Sequence, residues 1–263
     1  MYAAIFNNLE IFKLVYEKAP SSLKEETSRS INALDYIGMH NRLEIYKYLI
    51  EEKDIDINEM DSRGRTAFMI ACANNKKEII DYCLFKRVNI NKVDDQKKSG
   101  IVYATIYDYL DLVEDIIIFA QKESIKNNVD FQHNLLVSLL ASIELYNENK
   151  ENFTIFNTMK LIMKNLININ INDEGTTLLS YSLYKKNYKL IKLFLEREEI
   201  NLFEKIDEYD NVIEAAIFQG DVAALELMIN KLSKDQILSN IGKWKKIIEN
   251  KDINKEVKAY IKK

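Results

Sequence analysis

The histidines and cysteines of this sequence do not stand at spacings that suit catalysis or metal binding. The two histidines, His40 and His133, are far apart, and neither has a partner at the spacing of a metal-binding motif. The two cysteines, Cys72 and Cys83, fall on the apolar faces of two consecutive predicted helices. Because a free cysteine in such a position usually serves as a small buried hydrophobic residue, we expect neither a metal site nor a reactive thiol.

Carboxylates are plentiful, but their pattern does not indicate a catalytic pair. Pairs such as Asp94-Asp95 and Glu114-Asp115 would need a closed pocket to shift their pKa values toward neutrality before they could act as general acids or bases. The glycine-rich phosphate loops and the nucleophile motif GxSxG are also missing from the sequence. The sequence therefore predicts a protein that is not an enzyme and that binds no cofactor.

The composition excludes several other classes of function. The chain has 263 residues, of which 47% are hydrophobic and 30% charged, with a net charge of −4. The basic clusters, Lys97-Lys98 and Lys243 to Lys246, are small, so we expect solvent-exposed faces and not a nucleic-acid site. No apolar run reaches the ~20 residues of a membrane span, and the first residues do not have the pattern of a signal peptide. We expect a cytoplasmic protein or, as an alternative, an effector delivered into a host cell.

A unit of two short helices is the main organising pattern of the chain. In its clearest copy, a turn at Asp61–Thr66 precedes a helix at Ala67–Asn74, and Thr66 is placed to cap that helix. A second helix follows at Lys77–Lys86, with its apolar residues on one face, and an extended segment at Val88–Asn91 completes the unit. With one proline and six glycines in the whole chain, short helices joined by polar turns are favoured over a β-rich fold.

The same unit recurs at a fixed spacing. Ser99, Ala104, Asp111 and Ile117 each lie 33 residues after the corresponding Thr66, Ala71, Glu78 and Leu84. We predict a single solenoid over residues 1–263, with seven repeats at about 1–27, 28–60, 61–93, 94–127, 128–171, 172–205 and 206–236, and a helical cap at 237–263. The cap is a helix pair, Ile241–Glu249 and Lys255–Lys262. The fifth repeat is irregular, since Tyr146–Asn152 has the composition of an insertion before a second helix that resumes at Phe153.

The repeat resembles the ankyrin family. The family pattern T-P-L-H-x-A stands here as Thr66–Ala71, and its tail stands as Asn75–Ile80 followed by Cys83-Leu84. No repeat keeps the proline or the histidine of the family, and the glycine before the second helix survives only as Gly220. Asparagine replaces that glycine at three equivalent positions and is expected to adopt the same positive φ: Asn7, Asn41 and Asn75. The resemblance implies an all-α solenoid of helix-turn-helix repeats with short β-hairpin-like loops.

The resemblance also implies a function, namely non-catalytic protein binding through the concave groove of the stack. In this family the groove is formed by the hairpin tips and by the last exposed residues of each first helix, which here are Ser62, Arg63, Arg65, Asn74, Asp95, Gln96, Lys98, Tyr107, Asp173, Glu174, Tyr184, Glu208, Asp210 and Phe218. Phe218 could equally pack between repeats.

We expect a protein partner, and the acidic tips of the sixth and seventh repeats favour a basic segment of that partner facing them. Nucleic acid and membranes are not expected as partners, and the chain itself is expected to be monomeric. Two other functions stay open. One is an inhibitor or effector that masks an enzyme or a host protein, with Tyr146–Asn152 as a wedge. The other, less favoured, is a structural spacer.

Overall fold

The computed structural model describes residues 7–27, 31–148, 152–170, 172–173, 176–249 and 253–262, with no side-chain detail at 172 and 173. The chain divides into two compact units, Met1–Ile167 and Asn168–Lys263, which are described separately below. Nearly all of the regular structure in these residues is helical, and they contain only two short strands. This confirms the predicted all-α class.

The first unit consists of helix pairs joined by turns. Its helices are α1 (Leu9–Lys18), α2 (Ala33–His40), α3 (Leu43–Lys47), α4 (Ala67–Ala73), α5 (Lys77–Phe85), α6 (Gly100–Ile106), α7 (Leu110–Lys122), α8 (Val129–Glu148) and α9 (Phe153–Asn165). A 3-10 turn follows α1 at Pro20–Leu23, and α3 continues as a π-helical turn at Tyr48–Glu52. The first helices of successive repeats pack on each other in the order α2, α4, α6 and α8.

The second unit repeats this plan. It contains the two-residue strands β1 (Asn172–Asp173) and β2 (Thr176–Thr177) and the helices α10 (Leu178–Tyr184), α11 (Tyr188–Leu195), α12 (Val212–Phe218), α13 (Val222–Ile229), α14 (Lys234–Glu249) and α15 (Lys255–Lys262). Within it α10 packs on α12, α11 on α13, α12 on α14 and α13 on α15. The last two helices, α14 and α15, lie where a helical cap is expected from the sequence, but α14 begins at Lys234 and not near Ile241.

Side-chain caps fix where the first helix of most repeats begins. Thr66 accepts a hydrogen bond from the backbone N–H of Met69, as predicted, and Thr177 accepts one from Ser180. Asn32 and Asn211 cap the corresponding helices α2 and α12 in the same way. These side chains satisfy N–H groups that the first turn of a helix leaves unpaired, so each cap helps to set the repeat register.

The turn between the two helices of a repeat uses a left-handed residue, as predicted from the sequence. Asn7, Asn41 and Asn75 have φ values of 50°, 57° and 50°, close to the 72° of Gly220. Asp108 and Lys186 hold the equivalent position in two further repeats, with φ values of 60° and 51°. Asparagine tolerates this region because its short polar side chain can bond to the local backbone.

In the fifth repeat, the structure of Tyr146–Asn152 differs from the insertion that the sequence predicts. Helix α8 begins at Val129 and runs without a break to Glu148, so Tyr146, Asn147 and Glu148 form its last turn. Asn152 caps the next helix by accepting from the N–H of Ile155. The predicted insertion is thus helical at its start and caps the next helix at its end. Its first residue, Tyr146, is buried and packs against Phe156 with ring centroids 5.6 Å apart, which holds this last turn of α8 in place. Residues 149–151 lie outside the described part of the chain.

Candidate functional site

The turn before α4 is held by one buried carboxylate. Oδ1 of Asp61 accepts from the backbone N–H groups of Arg63 at 2.9 Å and Arg65 at 2.7 Å, and Oδ2 accepts from the Arg65 guanidinium. On the solvent side, Ser62 donates its backbone N–H and its hydroxyl to Glu26, at 3.0 and 2.7 Å. Ser62 and Arg65 are both predicted contact residues, and both side chains also form hydrogen bonds within the chain.

The next turn repeats this arrangement 33 residues further on. Oδ1 of Asp94 accepts from the backbone N–H groups of Gln96 and Lys98, both at 2.9 Å. The two turns are also joined directly, since the N–H of Asp95 donates to the carbonyl oxygen of Arg63 at 3.0 Å. Successive tips therefore form a continuous and ordered edge in the first unit.

A buried cluster of charged groups lies behind that edge. The Arg65 guanidinium lies 2.6 Å from Asp61 and 3.6 Å from Asp35, a residue of helix α2. Asp35 also accepts from the N–H of Asn32 at 2.8 Å, which completes the capping box of that helix. Burial, opposed in part by this hydrogen bond, raises the pKa of Asp35 to about 7. Two carboxylates thus share a single guanidinium, and one of them titrates near neutrality.

Residues of three successive repeats enclose a hollow of about 290 Å³ in the first unit, here called the first hollow. It is lined by Met39, Arg65, Met69, Ile70, Ala73, Asn74, Gln96, Lys98, Tyr103 and Tyr107. Five of these are predicted site residues: Arg65, Asn74, Gln96, Lys98 and Tyr107. The structure therefore brings together, in one concave surface, tip and helix-exit residues that the sequence places up to 42 positions apart.

The wall of the first hollow is formed by tyrosines and a lysine. Tyr107 is 52% exposed and stacks on Tyr109 with ring centroids 6.2 Å apart. The hydroxyl of Tyr103 donates to Asp94, and burial together with this hydrogen bond raises the tyrosine pKa above its usual value. Nζ of Lys98 lies 5.9 Å from the Tyr103 ring and donates to Gln96. These contacts fix the polar groups of the wall in place and leave the Tyr107 ring open to solvent.

A second hollow, of about 260 Å³, lies in the second unit and is here called the second hollow. It is lined by Thr176, Ser180, Tyr181, Leu183, Tyr184, Ile206, Asp207, Tyr209, Ala215 and Gln219. Of the predicted site residues it contains only Tyr184, which is 73% exposed. The second hollow is arranged like the first, with helix-exit residues on one side and a hairpin tip on the other.

The remaining predicted residues of the second unit are engaged or lie outside the hollow. Phe218 packs on Tyr209 with ring centroids 5.4 Å apart, so its half-exposed ring supports the tip instead of standing free. Asp210 forms an ion pair with Lys243 at 2.5 Å, and this hydrogen bond lowers the pKa of Asp210. Glu208 is exposed on the tip. Asp173 is described only as a residue of β1, and Glu174 lies outside the described residues.

Three tyrosines of these surfaces were absent from the predicted set. Tyr103 and Tyr181 each stand four residues after the cap of a first helix, and Tyr209 lies on a hairpin tip. The signal for the first two is present in the sequence. Tyr103 precedes Tyr107 by four residues and Tyr181 precedes Tyr184 by three, spacings that put both members of a pair on one helix face.

The other chemically active side chains do not form a site in the described residues. Burial raises the pKa of the Cys72 thiol well above its usual value and that of Cys83 to about 12, so both stay protonated at neutral pH. His40 stacks on Tyr36 at 4.0 Å, and burial lowers its pKa. Within the described ranges, no three metal-binding side chains cluster, and no helix has the length and apolar character that crossing a membrane requires.

Comparison with known proteins agrees with this architecture. A family model described as ankyrin repeats (3 copies) matches residues 34–130, the part of the chain that contains the first hollow. Residues 34–130 are ankyrin repeats. No curated protein matches the sequence.

Two solved structures extend the likeness to the ankyrin fold. The ankyrin repeat protein EF0377 is 21% identical with a TM-score of 0.56, covering 75% of this chain and 96% of its own. The ankyrin repeat domain of human ASB11 is 15% identical with a TM-score of 0.51, covering 76% of this chain and 84% of its own. Ankyrin repeats are general protein–protein interaction modules and are typically non-enzymatic.

Proposed function

We propose that this protein is a non-catalytic binding module that holds a protein partner in the concave surface of its ankyrin repeats. The first hollow is the observation that carries this proposal. Its lining comes from equivalent positions of three successive repeats, and the side chains are held by hydrogen bonds before any partner arrives. A surface that is already ordered loses little conformational entropy on binding, so more of its contact energy contributes to affinity.

The composition of the first hollow suits the side chains of a protein. Met39 and Met69 offer adaptable apolar contacts, and Tyr107 offers an exposed aromatic ring of the kind that often dominates binding energy. The side-chain NH₂ of Asn74 donates to the carbonyl of Ile70, and its amide oxygen accepts no hydrogen bond within the described residues, so it can accept one from a partner. Apolar area with a few fixed polar groups is typical of recognition sites.

The acidic hairpin tip of the second unit supports the proposal that the partner has a basic segment. Its hairpin tip carries Asp207, Glu208 and Asp210, of which only Asp210 has an ion-pair partner among the described residues. Two carboxylates therefore remain on this tip to attract a cationic segment. We infer a complex in which basic residues of the partner face the sixth and seventh repeats.

We further infer a monomeric protein that acts without a cofactor in the cytoplasm or, as an alternative, in a host cell as an effector that masks a protein there. Cys72 and Cys83 are free thiols, the state that a reducing compartment maintains. Their buried, protonated side chains give no nucleophile for catalysis.

A differential capture experiment tests the proposed function. The wild-type chain, a Tyr107→Ala variant and a Phe85→Ala variant would each be used as bait in a lysate of the source cells. Phe85 is a matched control because it is 81% exposed at the end of α5 and lies outside both hollows. Circular dichroism would confirm that all three are folded.

We expect a partner that is captured by the wild type and by Phe85→Ala but lost or strongly reduced with Tyr107→Ala. Purified partner would then be titrated against the same three proteins, and truncation of a central aromatic contact should weaken binding by at least about fivefold. Equal binding by Tyr107→Ala and the wild type would place the partner elsewhere and overturn the proposal for this hollow.

A further inference from the structure

The second hollow has a chemical character that the first hollow does not share. Its lining includes one carboxylate, that of Asp207. Asp207 lies on a tight turn in which the N–H of Tyr209 donates to the carbonyl of Ile206 at 2.8 Å. The first hollow instead contains Arg65 and Lys98 and no carboxylate in its lining. No cation of the described residues pairs with Asp207, so its charge is available to a ligand.

An unsatisfied hydroxyl group belongs to the same hollow. Oη of Tyr181 is buried and has no hydrogen-bond partner among the described residues. A buried hydroxyl without a partner is costly in free energy, and a ligand donor that reached it would remove that cost. Ser180, the neighbouring hydroxyl, already donates to the carbonyl of Thr177 and accepts from its N–H. A donor that enters the hollow would therefore find Tyr181 free.

The aromatic side chains of the hollow already attract a cation. Nζ of Lys185 lies 5.3 Å from the ring centroid of Tyr181 and 5.9 Å from that of Tyr184. Because an aromatic ring face carries partial negative charge, such distances are attractive for an ammonium or a guanidinium. Lys185 itself does not line the hollow, and Tyr184 is largely exposed, so the aromatic wall remains accessible.

We propose that the second hollow receives an arginine side chain of the partner protein. Its guanidinium would stack on Tyr184, pair with the Asp207 carboxylate and donate to the orphaned hydroxyl of Tyr181. Arginine fits better than lysine because a planar guanidinium stacks on aromatic faces, has several donors in a fixed fork and is less strongly hydrated. This inference rests on the proposed function, and it specifies the chemistry that the basic segment of the partner must carry.

The test uses small probes, so that it does not depend on the identity of the partner. The isotope-labelled full chain would be titrated with N-acetyl-arginine methylamide while the backbone amide signals of Tyr184, Asp207 and Gln219 are followed by NMR. Parallel titrations would use the corresponding citrulline compound, which is uncharged but nearly the same shape, and the lysine compound. We expect saturable shifts with the arginine probe in the millimolar range, weaker shifts with lysine and none that saturate with citrulline.

Three variants locate the binding. Asp207→Asn is expected to weaken binding of the arginine probe about fivefold, and Tyr181→Phe about twofold, without unfolding, because the removed hydroxyl has no partner. Glu196→Gln is the matched control, since it removes one exposed carboxylate of the same unit outside the hollow, and it should bind as the wild type does.

Several results would overturn the inference. Citrulline that binds as tightly as arginine would remove the role of charge, and an equal loss in Glu196→Gln and Asp207→Asn would show a general charge effect. Lysine that binds as tightly as arginine would reject the preference for a guanidinium. Any of these failures leaves the capture experiment with Tyr107→Ala untouched, because that residue belongs to the first hollow, and so the two proposals fail separately.

Discussion

Nη2 of Arg65 lies 3.6 Å from Oδ2 of Asp35, and through this contact a charged group on the hairpin edge of one repeat reaches the first helix of the repeat before it. The same guanidinium lies 2.6 Å from Asp61, so it serves two carboxylates at once. Burial and the neighbouring Asp61 carboxylate raise the pKa of Asp35, and the single guanidinium opposes this only in part.

The pKa of about 7 at Asp35 predicts a pH-dependent stability. An aspartate in an unfolded chain titrates near 3.8, so between these two values the folded state binds more protons than the unfolded state. The contribution of Asp35 to the free energy of unfolding therefore falls as the pH rises from about 4 to about 7, and it stays constant above that range.

Comparison with Asp35→Asn isolates this contribution from those of other carboxylates. The variant keeps an acceptor for the N–H of Asn32 but cannot ionise, so we expect it to gain stability over the wild type as the pH rises from 5 to 8. Urea unfolding at a series of pH values would measure this. Asp81→Asn, on an exposed face of α5, should show no such trend, and a pH-independent difference for Asp35→Asn would contradict the prediction.

Two equivalent cap positions are expected to respond in opposite ways to alanine. The hydroxyl oxygen of Thr66 accepts a hydrogen bond from the backbone N–H of Met69, so Thr66→Ala should destabilise by about 1 kcal/mol. Ser99 stands 33 residues later, but its buried hydroxyl has no partner among the described residues. Ser99→Ala should therefore be neutral or stabilise by up to about 1 kcal/mol. Urea unfolding compares the two, and a Thr66→Ser variant that restores stability would confirm the role of the hydroxyl.

Asn41 and Asn75 share a left-handed backbone but not a side-chain role. Asn41 donates to Glu78 at 2.7 Å and accepts from the N–H of Ile79 at 3.2 Å, which ties its turn to the next repeat. Asn75 is exposed, and no side-chain bond of it is found in the described structure. We expect Asn75→Gly to change stability by less than about 0.5 kcal/mol, and Asn41→Gly to destabilise by about 1 kcal/mol or more. Equal effects in thermal unfolding would contradict this difference.

Substitution by alanine is expected to have opposite effects on stability at two helical glycines. A Cβ atom at Gly100 would lie 2.5 Å from Phe68 and 3.2 Å from Cys72, because α6 approaches α4 closely there. Gly100→Ala should thus destabilise by about 1–3 kcal/mol through overpacking. Gly242, within α14, has nothing within 4 Å of such an atom, and Gly242→Ala should stabilise by about 1 kcal/mol. Chemical unfolding of both variants tests the close packing of the first helices.

The sequence determined the local features of each repeat. The hydroxyl of Thr66, the left-handed turn at Asn75 and the apolar spacing of α5 depend on residues that are neighbours in the chain, so the repeat could be recognised from residue types and spacing. The irregular fifth repeat was harder, because Tyr146 stands in a polar stretch of sequence but is buried by Phe156 from the following helix.

Only the tertiary structure shows which of the predicted surface residues already have side-chain partners within the chain. Ser62 is engaged by Glu26 and Asp210 by Lys243, partners 36 and 33 residues away that no local pattern reveals. Packing on Tyr209 likewise gives Phe218 a supporting role, while Tyr107 stays open to solvent. Local sequence sets caps and turns because the interacting groups are close in the chain, whereas the composition of a hollow depends on side chains that different repeats bring together.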